Sequence, residues 1–198
     1  MKQLLLATHN RDKAREMSAL LGDLGVEILT LDAFPQIGEI TEDADTLEGN
    51  ALLKANAVCR LSGLPSLGDD TGLEVHALYG NPGVYSSRYA GEHATYADNV
   101  ARLLLNMKKF PPRRRGARFR CALAFVAPGM APRIVEGVCT GSILEKPRGI
   151  GGFGYDPVFL PRGSDRTLAE MDLARKNEIS HRGRGVREMI PILREYFK

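Results

Sequence analysis

The stretch Leu4-Leu5-Leu6-Ala7-Thr8-His9-Asn10-Arg11-Asp12-Lys13 decides the fold class. Four apolar residues in a row, bounded by polar ones, are the pattern of a short strand buried on both faces. Beyond the loop Thr8 to Asp12, Met17, Leu20, Leu21 and Leu24 recur at helical spacing, with Gly22 or Gly25 to end the segment. Val26 to Leu31 then reads as a second strand. Strand, helix and strand make a βαβ opening and therefore an α/β fold, in which the loop at the carboxyl end of the first strand faces the ligand crevice. That loop offers a hydroxyl (Thr8), an amide (Asn10), an ammonium (Lys13) and helix-start N–H groups, the parts that hold phosphate. It lacks both the Walker and the dinucleotide glycine patterns. Taken alone it reads equally as a capped helix start with an exposed lysine.

The second informative stretch is Leu67-Gly68-Asp69-Asp70-Thr71-Gly72-Leu73-Glu74. Adjacent carboxylates repel, so a cation, solvent or a shared proton must compensate, and a divalent ion would also polarise a bound water. The competing reading is an exposed Asp-Asp-Thr-Gly turn between a strand from Pro65 to Gly68 and a continuation at Leu73-Glu74-Val75. Upstream, Phe34 to Asp45 is irregular and acidic, which leaves Glu42 in a loop, free to reach a metal. Thr46 is a fair N-cap for a helix through about Leu61. In that helix Lys54 shares a face with Leu47, Ala51, Ala55 and Val58, so it either snorkels or points into a site.

Further along, Gly80 to Gly91 reads as an ordered loop, and Val100, Leu103, Leu104 and Met107 mark an amphipathic helix. Lys108 to Arg115 is a basic, proline-broken connector, read as a solvated loop and alternatively as a contact for RNA or DNA. Residues 118–126 alternate as a half-buried strand and pair as a hairpin with Arg133 to Ile143. In Gly151-Gly152-Phe153-Gly154-Tyr155-Asp156, glycines flank an aromatic, which suits either a stacking platform for a base or a core turn. Lys176, His181 and Arg182 add hydrogen-bond donors. Val186, Met189, Ile190, Leu193 and Phe197 form a last helix starting just after Ser180 to Gly183.

At 198 residues, 43% hydrophobic and 26% charged, the composition is that of a globular chain of one domain, which excludes disordered and fibrous classes. A net charge of +3 suits an anionic ligand without demanding nucleic acid. Cys59, Cys121 and Cys139 are too few and too far apart for a disulfide framework or a Cys-x-x-Cys zinc site, and read as core thiols in a reducing compartment. Met1 to Ala7 is too short for a signal-peptide core and no run reaches membrane-span length, so the cytoplasm is the expected location. His76 and His93 have no partner at metal-ligand spacing, and no serine elbow or Cys–His pattern is present.

Thr8-x-Asn10-x-x-Lys13, Asn50-Ala51-Leu52-Leu53-Lys54-Ala55, Asp69-Asp70-Thr71-Gly72-Leu73, Pro82-Gly83-Val84-Tyr85-Ser86-x-Arg88-Tyr89, Gly152-Phe153-Gly154-Tyr155-Asp156-Pro157 and Ile179-Ser180-His181-Arg182-Gly183 together resemble the inosine triphosphate pyrophosphatase family, in family order over nearly the whole chain. Thr71 stands where many members have serine, and Gly49 where glutamate is common. The resemblance implies one domain over residues 1–198, with a long mixed β-sheet flanked by helices and an active-site cleft between two lobes. It implies hydrolysis of ITP, dITP and XTP to monophosphate and pyrophosphate with Mg²⁺, in a homodimer with no stable nucleic-acid partner and no membrane. By matching position, Asp70 is the proton acceptor and a metal ligand, and Glu42 is the second metal carboxylate. Thr8, Asn10, Lys13, Lys54 and Thr71 match triphosphate contacts, Phe153, Gly154, Tyr155, Asp156, Lys176, His181 and Arg182 match the groups that hold base and sugar, and His9, Arg11 and Asp12 are further substrate-binding positions. Alternatives are a Maf-type pyrophosphatase for modified pyrimidine nucleotides and a basic nucleic-acid-binding module.

Overall fold

The opening apolar run forms strand β1 (Gln3–Leu6), with Leu4, Leu5 and Leu6 fully buried, in a computed structural model that describes residues 2–198. Helix α1 (Arg11–Leu21) follows because the Asn10 side chain accepts from the Asp12 and Lys13 backbone N–H groups at 3.0 and 3.1 Å. Strand β2 (Glu27–Leu29) runs parallel to β1, with Leu4 opposite Ile28, which completes the expected βαβ opening. It is shorter than the Val26 to Leu31 expected, because the chain turns into a 3₁₀ helix at Leu31–Ala33. Helix α2 (Leu47–Ser62) starts at the Thr46 cap, whose hydroxyl accepts from Gly49 N–H at 3.0 Å, and ends where Gly63 adopts φ +73°.

The next strand, β3 (Ser66–Val75), corrects the turn expected at Asp69-Asp70: ten residues run extended straight through both aspartates. After β4 (Pro82–Gly83) comes α3 (Tyr96–Met107), capped reciprocally by Thr95 and Asp98. Strands β5 (Gly116–Val126) and β6 (Arg133–Ile143) form as expected, then β7 (Phe159–Pro161), α4 (Leu173–Ile179) and α5 (His181–Tyr196). Strand β5 alternates in burial only up to Arg120 and is buried at every position from Cys121 to Val126. Helix α5 begins at His181, so His181 and Arg182 are helical residues and not the loop ahead of the helix. The sheet is mixed, in the order β2-β1-β3-β5-β6-β7, with β4 antiparallel to β3.

The chain divides into two compact units, one of Met1–Asp70, Cys121–Gly137 and Arg182–Lys198, the other of Thr71–Arg120 and Val138–His181. In the first, Leu4, Leu6, Met17, Leu21, Leu67, Leu123, Phe125, Val186, Met189 and Leu193 form one core cluster, and Leu5, Ala7, Leu31, Ile37 and Val58 another. In the second, the core gathers Leu73, Val75, Val100, Leu103, Met107, Phe119, Ile143, Tyr155, Phe159 and Leu168. The three cysteines are buried thiols. Among the described residues no helix is long and apolar enough to cross a membrane.

The basic connector divides in a way its composition hides. Arg113 and Arg114 are exposed, as expected of a solvated loop, whereas Arg115 is 3% exposed. Its guanidinium donates to four carbonyls: Ile143 and Met107 at 2.8 Å, Leu144 at 2.8 Å and Phe110 at 3.2 Å. A buried cation with that many acceptors ties the end of α3 to the end of β6. Each such charged hydrogen bond is worth about 1.5–3 kcal/mol against leaving its partner unmade. Arg115→Ala should therefore lower unfolding free energy by about 3 kcal/mol or more in denaturant titrations, while Arg113→Ala and Arg114→Ala should stay within about 0.5 kcal/mol of the unaltered chain.

Candidate active site

Successive residues of a strand point to opposite faces, so a strand through Asp69 and Asp70 separates two carboxylates that a turn would have crowded together. On one face Asp69, 1% exposed, takes Lys13 Nζ and Arg182 Nη2, each at 3.2 Å. Arg182, itself buried, reaches Glu16 with its other terminal nitrogen, and Glu16 is equally buried on α1. On the other face Asp70 receives Asn50 Nδ2 at 3.3 Å and Lys54 Nζ at 3.4 Å, and the same ammonium meets Glu42 Oε2 at 2.8 Å. Helix α2 can come this close because residue 68 is glycine: a β-carbon there would overlap the Ala51 carbonyl oxygen. Ser66 fixes the same approach by donating to Ala55 O at 2.8 Å.

The two carboxylates are driven apart in acidity as well as in space. Burial works to raise the Asp69 pKa, but Lys13, Arg182 and Lys54 together overcome it and hold the group well below the ordinary carboxylate range. For Asp70 burial prevails, helped by the charges of Glu42 and Asp69, against the pull of Lys54 and Lys13, and its pKa is raised. Lys54 is held protonated: burial disfavours its charge, and Asp70, Asp69 and Glu42 outweigh that penalty. One aspartate is thus held ionised well below the ordinary range and its neighbour is the stronger base, the division of labour that acid–base sites are built on.

At the start of α1, Thr8 Oγ1 accepts from Asn10 N–H at 3.2 Å and Asn10 caps the helix, so this loop is held by its own polar groups. Lys13 is turned to Asp69. His9 donates from Nε2 to Gly38 O at 3.1 Å, Arg11 is exposed, and Asp12 pairs with Arg15 at 3.5 Å. Lys54 is 6% exposed, which decides between the two readings of that lysine: it points at Glu42 and Asp70 and does not snorkel.

In the second unit, Phe153 sits between Gly152 and Gly154, both at positive φ (66° and 61°). A β-carbon on Gly152 would overlap the Asp156 carboxylate, which instead accepts from Phe153 N–H at 2.8 Å. Asp156 is buried in an ion pair with Lys176, and the Lys176 ammonium lies 4.6 Å from the Phe153 ring centroid. Phe153 is half-buried. Tyr155 instead joins the core and donates its hydroxyl to Ser86 O at 2.9 Å. His181 is buried and stacks on Phe119 with centroids 4.5 Å apart, and Thr71 is partly buried on β3.

Lys13, Glu42, Lys54 and Asp70 therefore gather in one unit, and Phe153, Asp156 and Lys176 in the other. Arg182, expected to face a base, is turned to Glu16 and Asp69. Glu42 and Asp70 both reach the position of one ammonium, so a divalent cation with one or two carboxylates plus phosphate and water ligands suits the donor set. No group of three or more His, Cys, Asp and Glu converges among the described residues. Two participants have no role assigned from the sequence. Asn50 is buried, holds Asp70 and also accepts from Ala44 N–H at 3.0 Å; its place on the apolar stripe of α2, four residues before Lys54, is the signal that marks it. Glu16 carries no comparable signal, since only the folded chain brings Arg182 to it.

The Ham1 family model matches residues 4–192. A dITP/XTP pyrophosphatase of Geobacter sulfurreducens is 46% identical over 186 residues, 94% of each chain, and one of Streptomyces avermitilis 43% over 197 residues, 98% of each. Among solved structures, a HAM1 protein from Coxiella burnetii superposes with a TM-score of 0.88 at 40% identity, covering 98% of this chain and 100% of that one. The Staphylococcus aureus Ham1 protein gives 0.86 at 31% identity over the full length of both. With its sequence matched almost end to end and its fold shared, the chain belongs to the Ham1 family.

Proposed function

We propose that the chain is a Mg²⁺-dependent pyrophosphatase that hydrolyses ITP, dITP and XTP, non-standard purine nucleoside triphosphates, to the monophosphate and pyrophosphate. It does so as one domain over residues 1–198, acting as a homodimer in the cytoplasm. The observation that carries this reading is the Lys54 ammonium between Glu42 and Asp70, 2.8 and 3.4 Å away, beside a second buried cation–carboxylate set at Lys13 and Asp69. Cations interleaved with carboxylates are what a triphosphate with a bound metal requires. The relatives named as dITP/XTP pyrophosphatases support the choice of substrate class.

In the proposed reaction Asp70 accepts a proton from water as the water oxygen bonds to the α-phosphorus and the bond from that phosphorus to the bridging oxygen breaks. Asn50 holds one oxygen of the Asp70 carboxylate and Lys54 the other, which fixes the orientation in which the carboxylate meets the water. Lys54 and Lys13 offset the charge that collects on the departing pyrophosphate. Glu42 and Asp70 would hold Mg²⁺, which supplies charge neutralisation and a polarised water when bound. Asp69 stays anionic and orients Lys13, and Glu16 and Arg182 keep Asp69 in place. On the base side the Lys176 ammonium, next to Phe153, can donate hydrogen bonds but accept none, so it favours a 6-oxo purine and opposes the 6-amino group of adenine.

A panel of ITP, XTP, dITP, GTP, ATP and dUTP with Mg²⁺ should release pyrophosphate, not orthophosphate, and should do so from the first three. Release from dUTP in preference to ITP would overturn the purine assignment. Run in ¹⁸O-labelled water, the reaction should put label in the monophosphate alone. Asp70→Asn should lose about 10² to 10⁴ in kcat in a protein that still folds, since it removes a base and keeps the shape, with Glu42 left to compensate Lys54. Glu16→Gln should cost about 3–5 kcal/mol of stability by leaving the buried Arg182 charge half-compensated; equal stability would show that the pair is incidental.

A further inference from the structure

Tyr96 opens α3 directly after the Thr95 cap, yet it is 43% exposed, so a large ring sits half in water at the start of a helix. Its ring centroid lies 5.9 Å from that of Phe153, with the planes tilted by 42°. That is the range of direct ring contact, so no base fits between the two. Phe153 is flanked by two glycines at positive φ. Its ring lies against Lys176, whose ammonium is 4.6 Å from the ring centroid, as well as Tyr96.

We propose that Tyr96 is a positioning residue of the purine subsite: it props the Phe153 ring at a fixed tilt, and its exposed edge extends the aromatic surface that Phe153 offers to the base. The proposal rests on the purine triphosphate reading above and deepens it. Tyr96 touches neither the α-phosphorus nor Asp70 in this scheme, so it acts on affinity for the base and leaves the chemical step alone. Aromatic surface is sequence-tolerant in what it stacks, so selectivity for the 6-oxo group stays with Lys176 while Tyr96 contributes binding strength.

Tyr96→Ala should raise KM for ITP roughly tenfold, about 1.4 kcal/mol, with kcat within about twofold. Tyr96→Phe should restore KM, because the ring and not the hydroxyl is what acts. Inhibition by inorganic tripolyphosphate, which has no base, should be the same in the unaltered chain and both variants. The chain contains no tryptophan, so Tyr96→Trp supplies a single indole emission reporter. Its emission should change on adding inosine monophosphate and not on adding tripolyphosphate. ITP hydrolysis with an unchanged KM in Tyr96→Ala overturns the role of Tyr96 and leaves the proposed activity standing. No purine triphosphate hydrolysis by the unaltered chain, with the indole of Tyr96→Trp still responding to inosine monophosphate, overturns the activity and keeps Tyr96 at a base site. Indole emission that ignores inosine monophosphate, or a lower melting temperature and kcat in Tyr96→Ala that Tyr96→Phe does not rescue, shows a merely structural ring and sinks the proposal.

Discussion

Two adjacent aspartates in an extended strand must face opposite ways, and the rest of the site depends on that constraint. Asp69 and Asp70 therefore make their direct ion pairs with different cations, and each face of β3 brings its own. Helix α1 and the start of α5 deliver Lys13 and Arg182 to Asp69, and α2 delivers Lys54 and Asn50 to Asp70. The protein thereby obtains from one dipeptide a carboxylate whose affinity for a proton is lowered and another whose affinity for one is raised.

The arrangement removes several charges from water, and each is compensated locally. Asp69, Arg182 and Glu16 are all buried and form a continuous chain of opposite charges ending at Lys13. Removing any one would strand a charge in a low-dielectric interior, where an uncompensated ion is far more costly than the pair is favourable. Close packing serves the same end. Gly68 lets α2 lie against β3 at the turn that carries Ala51 and Lys54, and a side chain there would push the Lys54 ammonium away from Asp70. In the second unit the glycine before Phe153 has a matching purpose, leaving room for the Asp156 carboxylate that holds both Phe153 N–H and Lys176.

Much of this was legible in residue order. The apolar run Leu4 to Leu6 and the periodicity behind it specify the βαβ opening, and Thr46 and Gly63 bound α2 as their chemistry dictates. Lys54 on an apolar stripe announced itself, because a cation among Leu47, Ala51 and Val58 needs a reason to be there. What composition concealed was long-range partnering. Asp69-Asp70-Thr71-Gly72 has the residues of a turn, and only pairing with neighbouring strands makes it extended. Arg113, Arg114 and Arg115 look alike in sequence, but only the last meets four carbonyls, contributed by α3, the loop after it, and β6 with the residue beyond it. Arg182 reads as a donor for a ligand until Glu16, 166 positions earlier, is found against it.

The split between the two aspartates is testable without reference to turnover. Carboxyl ¹³C resonances of Asp69 and Asp70, assigned through the single asparagine variants and followed as pH is lowered in metal-free protein, report each protonation separately. Asp70 should take up its proton above the ordinary aspartate value of 3.8, while Asp69 should stay ionised well below it. Two resonances moving together near that value would mean that the strand does not divide the pair.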